Sequence, residues 1–287
     1  MRCTICPRVC DAERPGGFCG MGELPVVSRA APHFWEEPCI SGERGSGAVF
    51  FAGCNLRCVF CQNYDISALR RGKEITVERL REIFEDLIAQ GAHNINLVSP
   101  TPYIESIIEL LSEYKPSVPI VYNTGGYEKA ETLRRLEGIV DIYLPDLKYI
   151  DGEKSKKYSC AENYAGYAIP AIHEMVRQTG KPQFDENGIM LKGTIVRHLI
   201  LPQNTKNSIK VLQTLQSEFG DSVLVSLMAQ YIPMGRAADY PEIDRRITKR
   251  EYEKVLEEYE ILGLDGFVQE RSSATQAFVP NWNLDNE

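Results

Sequence analysis

Apolar residues along this chain occur either in short continuous runs or at helical spacing over longer stretches. The short runs predict six β-strands, which lie at residues 48–52, 95–98, 119–122, 139–144, within 191–201 and at 223–228. Helical spacing predicts that helices lie between them, at residues 76–90, 104–114, 130–136, 153–180 and 208–219. A last helix is predicted from the capping box at Thr248 to Gly263. The helix over 153–180 is expected in two pieces, broken near Pro170, because proline interrupts helical hydrogen bonding.

The order of these elements, strand and helix in alternation, predicts an α/β fold with a parallel sheet and helical crossovers. The spacing alone does not separate a barrel from a doubly wound sheet. The first 45 residues show little periodicity and are rich in Pro, Gly and Cys, which predicts a small appendage held by metal. The expected division is a cysteine-rich appendage at 1–45, the α/β domain at 46–270 and a tail at 271–287.

Composition narrows the function classes. The chain has 287 residues, of which 43% are hydrophobic, and a formal net charge of -8. This balance predicts a folded globular protein and argues against sequence-independent binding of duplex nucleic acid, which needs a basic face. No run approaches the length of a membrane span, and the first residues lack the apolar run of a signal peptide. A cytoplasmic protein with neither nucleic acid nor membrane as partner is therefore expected.

The cysteines are strongly clustered, since all but one of the nine lie in the first 61 residues. In a reducing compartment, clustered thiols bind metal more often than they form disulfides. One group consists of Cys3, Cys6, Cys10 and Cys19, a second of Cys54, Cys58 and Cys61, while Cys39 and Cys160 stand alone without an assigned role.

The second group places three thiolates within one short loop, at spacings of four and three residues. Three thiolates can hold three irons of a four-iron cluster and leave the fourth iron free for a small molecule. Ferredoxin-type clusters use four cysteines, so a three-cysteine loop is the open version, as catalytic metal sites generally are. We therefore expect Cys54, Cys58 and Cys61 to ligate a [4Fe-4S] cluster.

This loop, with Phe60 before its last cysteine, resembles the signature of the radical S-adenosylmethionine (radical SAM) superfamily. The resemblance implies that S-adenosylmethionine chelates the fourth iron through its methionine amino and carboxyl groups. It implies that the reduced cluster cleaves this cofactor to methionine and a 5′-deoxyadenosyl radical, which abstracts hydrogen from a substrate. It also implies a fold, a partial (β/α)6 barrel that is similar to a TIM barrel and open on one side.

Polar residues follow or end each predicted strand. In parallel barrels the carboxyl ends of the strands meet at one face, where functional groups gather. Each polar strand end, taken singly, is also typical of an ordinary loop. Because all of them are expected at the same face as the cysteine loop, together they predict one ligand pocket. The candidate cofactor-binding residues are Ser99, Thr101, Asn123, Thr124, Asp146, Lys148, Arg197, His198 and Gln230.

Within the superfamily, the chain resembles homologues of the pyruvate formate-lyase activating enzyme over nearly its whole length. The resemblance rests on residues 3–10, 53–63, 122–127, 141–148 and 197–202. It implies that Thr124, Asp146 and Lys148 contact S-adenosylmethionine, that the partner is a glycyl radical enzyme, and that flavodoxin or ferredoxin is the reductant. The chain departs from the family where activases carry Gly-Gly-Glu, because Ser99-Pro100-Thr101 stands there.

Several alternatives stay open. The substrate can be a small molecule rather than a protein loop, or the chain can be a non-catalytic iron–sulfur or zinc protein. A protein substrate is expected to enter from the open side of the barrel, where Trp282 of the tail either caps the opening or packs on the barrel. The N-terminal cysteines can hold zinc or an auxiliary cluster, or remain free of metal.

Overall fold

A mostly parallel β-sheet runs through residues 2–270, the part of the chain that the computed structural model describes. From one edge to the other the strand order is β10-β9-β8-β6-β5-β4-β2-β1-β3, and β7 pairs only with β8. The strands are β1 (Val26–His33), β2 (Ser46–Phe51), β3 (Lys73–Glu74), β4 (Ile95–Val98), β5 (Ile120–Thr124), β6 (Ile142–Pro145), β7 (Gln183–Phe184), β8 (Met190–Leu199), β9 (Leu224–Met228) and β10 (Gly266–Val268).

The six strands predicted from the sequence are β2, β4, β5, β6, β8 and β9. They lie side by side and each pairs in parallel with the next. All residues of β2, β4, β5, β6 and β9 are buried, as expected for a parallel sheet covered by helices. Since β10 and β3 form opposite edges, the sheet does not close, and the predicted partial barrel is confirmed.

Helices supply the crossovers between the parallel strands. They are α1 (Pro38–Ser41), α2 (Tyr64–Ser67), α3 (Val77–Ala89), α4 (Ile104–Glu113), α5 (Ala130–Arg134), α6 (Gly152–Ser159), α7 (Tyr164–Thr179), α8 (Thr205–Phe219) and α9 (Lys249–Ile261). Helix α3 begins at Thr76, whose side chain accepts a hydrogen bond from Arg79 N. The predicted capping box before α9 is present, with Thr248 and Glu251 each bonded to the other's backbone N–H. None of these helices is long and apolar enough to cross a membrane.

The predicted break near Pro170 was wrong. Pro170 lies inside α7, and the chain is broken earlier, at Cys160, which has a φ of 52° and ends α6. Proline inside a helix costs roughly 3 kcal/mol. The burial of one face of α7 against the sheet, including Ala171, Ile172 and Met175, offsets this cost.

The sheet extends into the segment predicted as an appendage. Strand β1 lies antiparallel to β2, and its last residue, His33, pairs with Ser46. Residues 2–25 contain neither a helix nor a strand. The division at residue 45 therefore stays a prediction, while the regular structure of the chain begins at Val26. The tail at 271–287, with Trp282, lies outside the described residues.

Candidate active site

The cysteine loop follows β2 at the carboxyl edge of the sheet. Each of its thiols has a polar contact with a neighbouring group. Leu56 N donates to Cys54 Sγ over 3.3 Å, Ser67 Oγ donates to Cys61 Sγ over 3.3 Å, and Cys58 Sγ lies 2.9 Å from Ser159 Oγ. Hydrogen bonds of this kind orient a ligand and stabilise its thiolate form.

The chemistry of the three thiols fits an iron–sulfur cluster. Burial is the main cause that raises the pKa of Cys58 to about 12; Lys148 opposes this rise, and the neighbouring thiols Cys54 and Cys61 add to it. Burial also raises the pKa of Cys61. Thiols in such an environment become thiolates when a metal cation offsets their charge. Three sulfur donors without a carboxylate among them are a soft set that suits iron–sulfur chemistry.

Most of the predicted cofactor-binding residues line one cleft with these cysteines. The cleft lies over the carboxyl ends of the parallel strands, as barrel geometry predicts. The predicted residues on its wall are Ser99, Asn123, Thr124, Asp146, Lys148, Arg197 and Gln230, together with Cys54, Cys58 and Cys61.

A charge network crosses the floor of the cleft. Arg197 Nε donates to Asp146 Oδ1 over 3.0 Å, and Lys148 Nζ donates to Asp146 Oδ2. The same guanidinium lies 3.3 Å from Glu36 Oε2 and donates to Asn123 Oδ1 over 2.6 Å. Two cations therefore share two carboxylates, and each charge has a partner of the opposite sign.

The partners decide how these groups titrate. Burial alone would raise the pKa of Asp146, but Arg197 and Lys148 hold it below its ordinary value. Against the effect of burial, the charge of Asp146 raises the pKa of Lys148. Both side chains therefore remain charged at neutral pH. A charged network at the strand ends can pair with a zwitterionic ligand.

Backbone geometry positions the Asp146-Lys148 segment. A Cβ at Gly126, which has a φ of +79°, would lie 2.1 Å from Asp146 O, so only glycine permits this approach of two strand ends. The hydroxyl of Tyr164 lies 2.6 Å from Asp146 O and accepts a hydrogen bond from Lys148 N over 3.1 Å. The turn after β5 and helix α7 together fix these two cleft residues.

Glu36 belongs to the cleft but was missed in the sequence. Its carboxylate accepts hydrogen bonds from Asn96 Nδ2 over 3.1 Å and Asn123 Nδ2 over 3.4 Å, and it pairs with Arg197. Burial raises its pKa, while Arg197 lowers it. The residue reaches the cleft because β1 pairs antiparallel with β2. The only sequence signal is a Glu36-Glu37 pair beside Trp35, in a segment without periodicity.

Two predicted residues, Thr101 and His198, do not line the cleft. After Ser99 the chain turns into a short 3₁₀ helix, and the buried Thr101 donates to Glu128 Oε1 over 2.5 Å. His198 follows Arg197 on β8, so alternation along the strand sends it to the opposite face. It lies 2.7 Å from Leu147 O and 2.9 Å from Ser208 Oγ. Burial lowers its pKa to about 4, so it is a neutral packing residue.

Glu128 is a second buried carboxyl that the sequence did not reveal. The hydroxyls of Thr101 and Thr124 both donate to its Oε1, while its Oε2 is buried without a hydrogen-bond partner. Burial raises its pKa from the ordinary 4.5 to about 7, against the effect of the two hydroxyls. Glu128 therefore holds Thr124 from behind the cleft and is sensitive to pH in the physiological range.

We expect the Glu128→Gln variant to lose a pH dependence of stability that the parent protein has. The native state keeps the proton that the unfolded chain releases at about pH 4.5, so the free energy of unfolding falls as pH rises to about 7. The loss amounts to about 3 kcal/mol. Urea unfolding of both proteins between pH 5 and 8 measures it. Parallel curves for the two proteins would contradict the assignment.

Comparisons with known proteins bear on this site. A family model described as the Radical SAM superfamily matches residues 48–209. An uncharacterized protein of Methanocaldococcus jannaschii is 32% identical over 273 residues, which covers 92% of this chain and 75% of that protein. The pyruvate formate-lyase-activating enzyme of Clostridium pasteurianum is 27% identical over 231 residues, which covers 74% of this chain and 88% of that enzyme.

Among solved structures, the crystal structure of methylornithine synthase matches with a TM-score of 0.51 at 16% identity. The match covers 75% of this chain and 60% of that chain, which is less than two thirds of that protein's length. At this identity the match shows a common fold.

Proposed function

Because the chain belongs to the radical SAM superfamily, we propose that it cleaves S-adenosylmethionine reductively in the cleft beside Cys54, Cys58 and Cys61. The superfamily uses a [4Fe-4S] cluster together with this cofactor. The observation that carries the proposal is the single cleft that joins three thiols to a buried charge network at the strand ends. A carrier of electrons has no need for such a second group of polar residues.

Each charged part of S-adenosylmethionine has a counterpart in the cleft. Lys148 can neutralise the carboxylate of its methionine moiety, and Asp146 can accept from its ammonium or from the ribose hydroxyls. Glu36 adds a second carboxylate in a chain that lacks the Gly-Gly-Glu motif, and Ser99 stays on the wall as a neutral hydrogen-bonding group. Thr124 is oriented by Glu128.

A reduced cluster held by Cys54, Cys58 and Cys61 would supply one electron to the sulfonium of S-adenosylmethionine, and cleavage of its carbon–sulfur bond would give methionine and a 5′-deoxyadenosyl radical. The task left to the chain is to hold the reactive carbon against the substrate and to exclude water and other C–H bonds. Buried apolar side chains beside the cysteines, among them Leu56 and Phe60, serve that purpose.

For the substrate, we propose a glycine in a loop of a protein partner. Transfer of a hydrogen atom from the glycine Cα to the deoxyadenosyl carbon yields 5′-deoxyadenosine and a glycyl radical. The similarity to a pyruvate formate-lyase-activating enzyme supports this choice. So does the neighbouring pair Phe34 and Trp35, which are 51% and 60% exposed and of which Trp35 lines the cleft, because large exposed apolar side chains are typical of protein-binding surfaces.

The test is to mix the reduced, cluster-loaded protein with S-adenosylmethionine and a candidate glycyl radical enzyme and to record the electron paramagnetic resonance spectrum. We expect the doublet of a glycyl radical and one 5′-deoxyadenosine for each radical formed. Acceleration of deoxyadenosine formation by a small metabolite, with no doublet from any candidate partner, would favour the small-molecule alternative. Absence of any cleavage would favour the non-catalytic alternative.

A surface variant separates docking from chemistry. Phe34→Ser is expected to slow radical formation on the partner several-fold while leaving uncoupled cleavage of S-adenosylmethionine unchanged, because Phe34 does not line the cleft. Ile261→Ser, at an apolar residue of α9 that is 72% exposed, is the matched control and should change neither rate. Equal rates in both variants would remove Phe34 from the docking surface.

A further inference from the structure

The N-terminal segment, residues 2–25, is held in a defined conformation without a helix or a strand of its own. A single bridge joins Arg2 to Glu13, and Cys3 N donates to Ala12 O over 3.0 Å. Three tight turns are closed by Val9 N donating to Cys6 O over 3.1 Å, Gly16 N donating to Glu13 O over 2.7 Å and Gly20 N donating to Gly17 O over 3.0 Å. Segments with so few backbone ladders and so little core usually need a disulfide or a metal.

A sulfur atom of this segment accepts a backbone hydrogen bond in the manner of a metal ligand. Phe18 N donates to Cys10 Sγ over 3.2 Å. Such bonds stabilise the thiolate, which is the form that binds metal.

The cluster loop shows the same arrangement. Leu56 N donates to Cys54 Sγ over 3.3 Å. Within residues 2–270 no group of three or more His, Cys, Asp or Glu side chains converges as it stands into metal-ligand geometry, and this is true of both cysteine groups. What the two groups share is a backbone amide that donates to a cysteine sulfur, Phe18 N at Cys10 and Leu56 N at Cys54.

The four thiols lie in one neighbourhood. Backbone hydrogen bonds join Cys3 N to Ala12 O and Val9 N to Cys6 O, and Phe18 N, next to Cys19, donates to Cys10 Sγ. Burial raises the pKa of Cys6 and of Cys19. A bound divalent ion would offset the charge of their thiolates.

The backbone on both sides of Cys10 is strained, and this conformation directs the Cys10 sulfur towards the other turns of the segment. Val9 has a φ of 40° and Asp11 a φ of 49°, on either side of the cysteine. A β-branched residue with positive φ is an outlier that persists only where the surroundings fix it. Gly17 crosses so closely that a Cβ there would lie 3.2 Å from Cys10 Sγ. The chain is bent so that this sulfur faces the inside of the segment.

We propose that Cys3, Cys6, Cys10 and Cys19 bind one zinc ion, which holds the N-terminal segment against the cluster loop. Zinc takes four thiolates in a tetrahedron of short bonds, which matches the number and kind of donors in this segment. The net negative charge of such a site is offset by cations nearby, because Arg14 and Arg57 both act on Cys19.

The zinc site bears on the cluster through Arg8, which lies between Cys6 and Cys10. Its guanidinium donates to Asn55 O over 2.7 Å inside the cluster loop and to Ser159 O over 3.0 Å beside Cys58. It also stacks on Phe18, 3.9 Å from the ring centroid. Fixing the segment that carries Arg8 therefore fixes the loop that carries the cluster ligands. This inference does not depend on the identity of the substrate.

The test begins with metal analysis of the full chain in which Cys54, Cys58 and Cys61 are replaced by alanine. We expect about one zinc per chain, with X-ray absorption showing four sulfurs at about 2.3 Å. If this variant instead contains iron and absorbs near 400 nm, the site holds an auxiliary cluster and the zinc proposal is wrong. If the variant contains no metal, the site itself is refuted.

Single variants in the otherwise unchanged protein locate the ion. Cys3→Ser is expected to weaken zinc retention against a chelator at least about tenfold, whereas Cys160→Ser, at an exposed lone thiol, should not change it. Arg8→Gln should keep the zinc yet speed the loss of cluster iron in air, since it cuts the contact with Asn55. Full zinc retention in Cys3→Ser would overturn the proposal. If that variant does not fold, the X-ray absorption spectrum of the parent chain decides.

Discussion

Replacement of Cys54, Cys58 and Cys61 together by alanine is expected to remove all iron from this site and to reduce cleavage of S-adenosylmethionine to background. The three thiolates are the protein's covalent hold on the cluster, and a cluster with fewer ligands is not retained. Anaerobic reconstitution followed by iron analysis should give about four irons per chain at this site in the parent protein and none in the variant. Deoxyadenosine release with dithionite measures the activity.

Cys39→Ala is the matched control, because Cys39 is a buried thiol of α1 outside both cysteine groups. It should keep both the iron and the activity. The triple variant should remain folded, since the contact of Cys58 with Ser159 contributes only about 1 kcal/mol. A triple variant with parental iron content and parental cleavage would disprove the assignment of these ligands.

The sheet and the edge that carries the site were predictable because they depend on local signals. Continuous apolar runs gave the six parallel strands, and chain order then placed their carboxyl ends at one edge. Ser99, Asn123, Asp146, Lys148 and Gln230 meet there because each follows or ends a strand. The cysteine spacing needed no tertiary information at all.

Features that depend on tertiary contacts escaped prediction. Glu36 lies in the cleft because β1 pairs antiparallel with β2. No periodicity in the sequence of this segment predicts that pairing. Thr101 was assigned to the wall from its nearness to β4, but the chain turns at Ser99, which has a φ of 59°. The hydroxyl of Thr101 instead donates a hydrogen bond to the buried carboxyl of Glu128. His198 was predicted to line the cleft together with Arg197. Side chains alternate between the two faces of β8, so a shift of one residue places His198 on the opposite face.

The Asp146→Ala variant is expected to lose both stability and affinity for S-adenosylmethionine. The carboxylate lies between two cations, with side-chain exposures of 13% for Asp146, 14% for Arg197 and 18% for Lys148. Its removal leaves two like charges buried together, and breaking a buried pair in this way costs about 3–5 kcal/mol. Loss of a hydrogen bond to a charged ligand weakens binding by a further 1.5–3 kcal/mol, or roughly 10- to 100-fold.

Urea unfolding and equilibrium binding measure the two effects separately. Glu105→Ala is the control, because its bidentate pair with Arg135 is geometrically good, at 2.6 Å for both bonds, but exposed. Exposed pairs contribute about 1 kcal/mol or less, so the control should lose little stability and no binding.

The pH dependence gives the Asp146 assignment an independent check. Because Arg197 and Lys148 hold the pKa of Asp146 below its ordinary 3.8 despite burial, the unfolded chain takes up this proton before the native state does. The stabilisation is therefore complete above about pH 5, and it is lost as pH falls through the native pKa. The difference in unfolding free energy between parent and Asp146→Ala should be constant at neutral pH and shrink below about pH 4. A difference that instead grows on acidification would mean that this carboxyl is protonated in the native cleft, and the charge network would then have to be rebuilt around Glu36 as the sole anionic partner of Arg197.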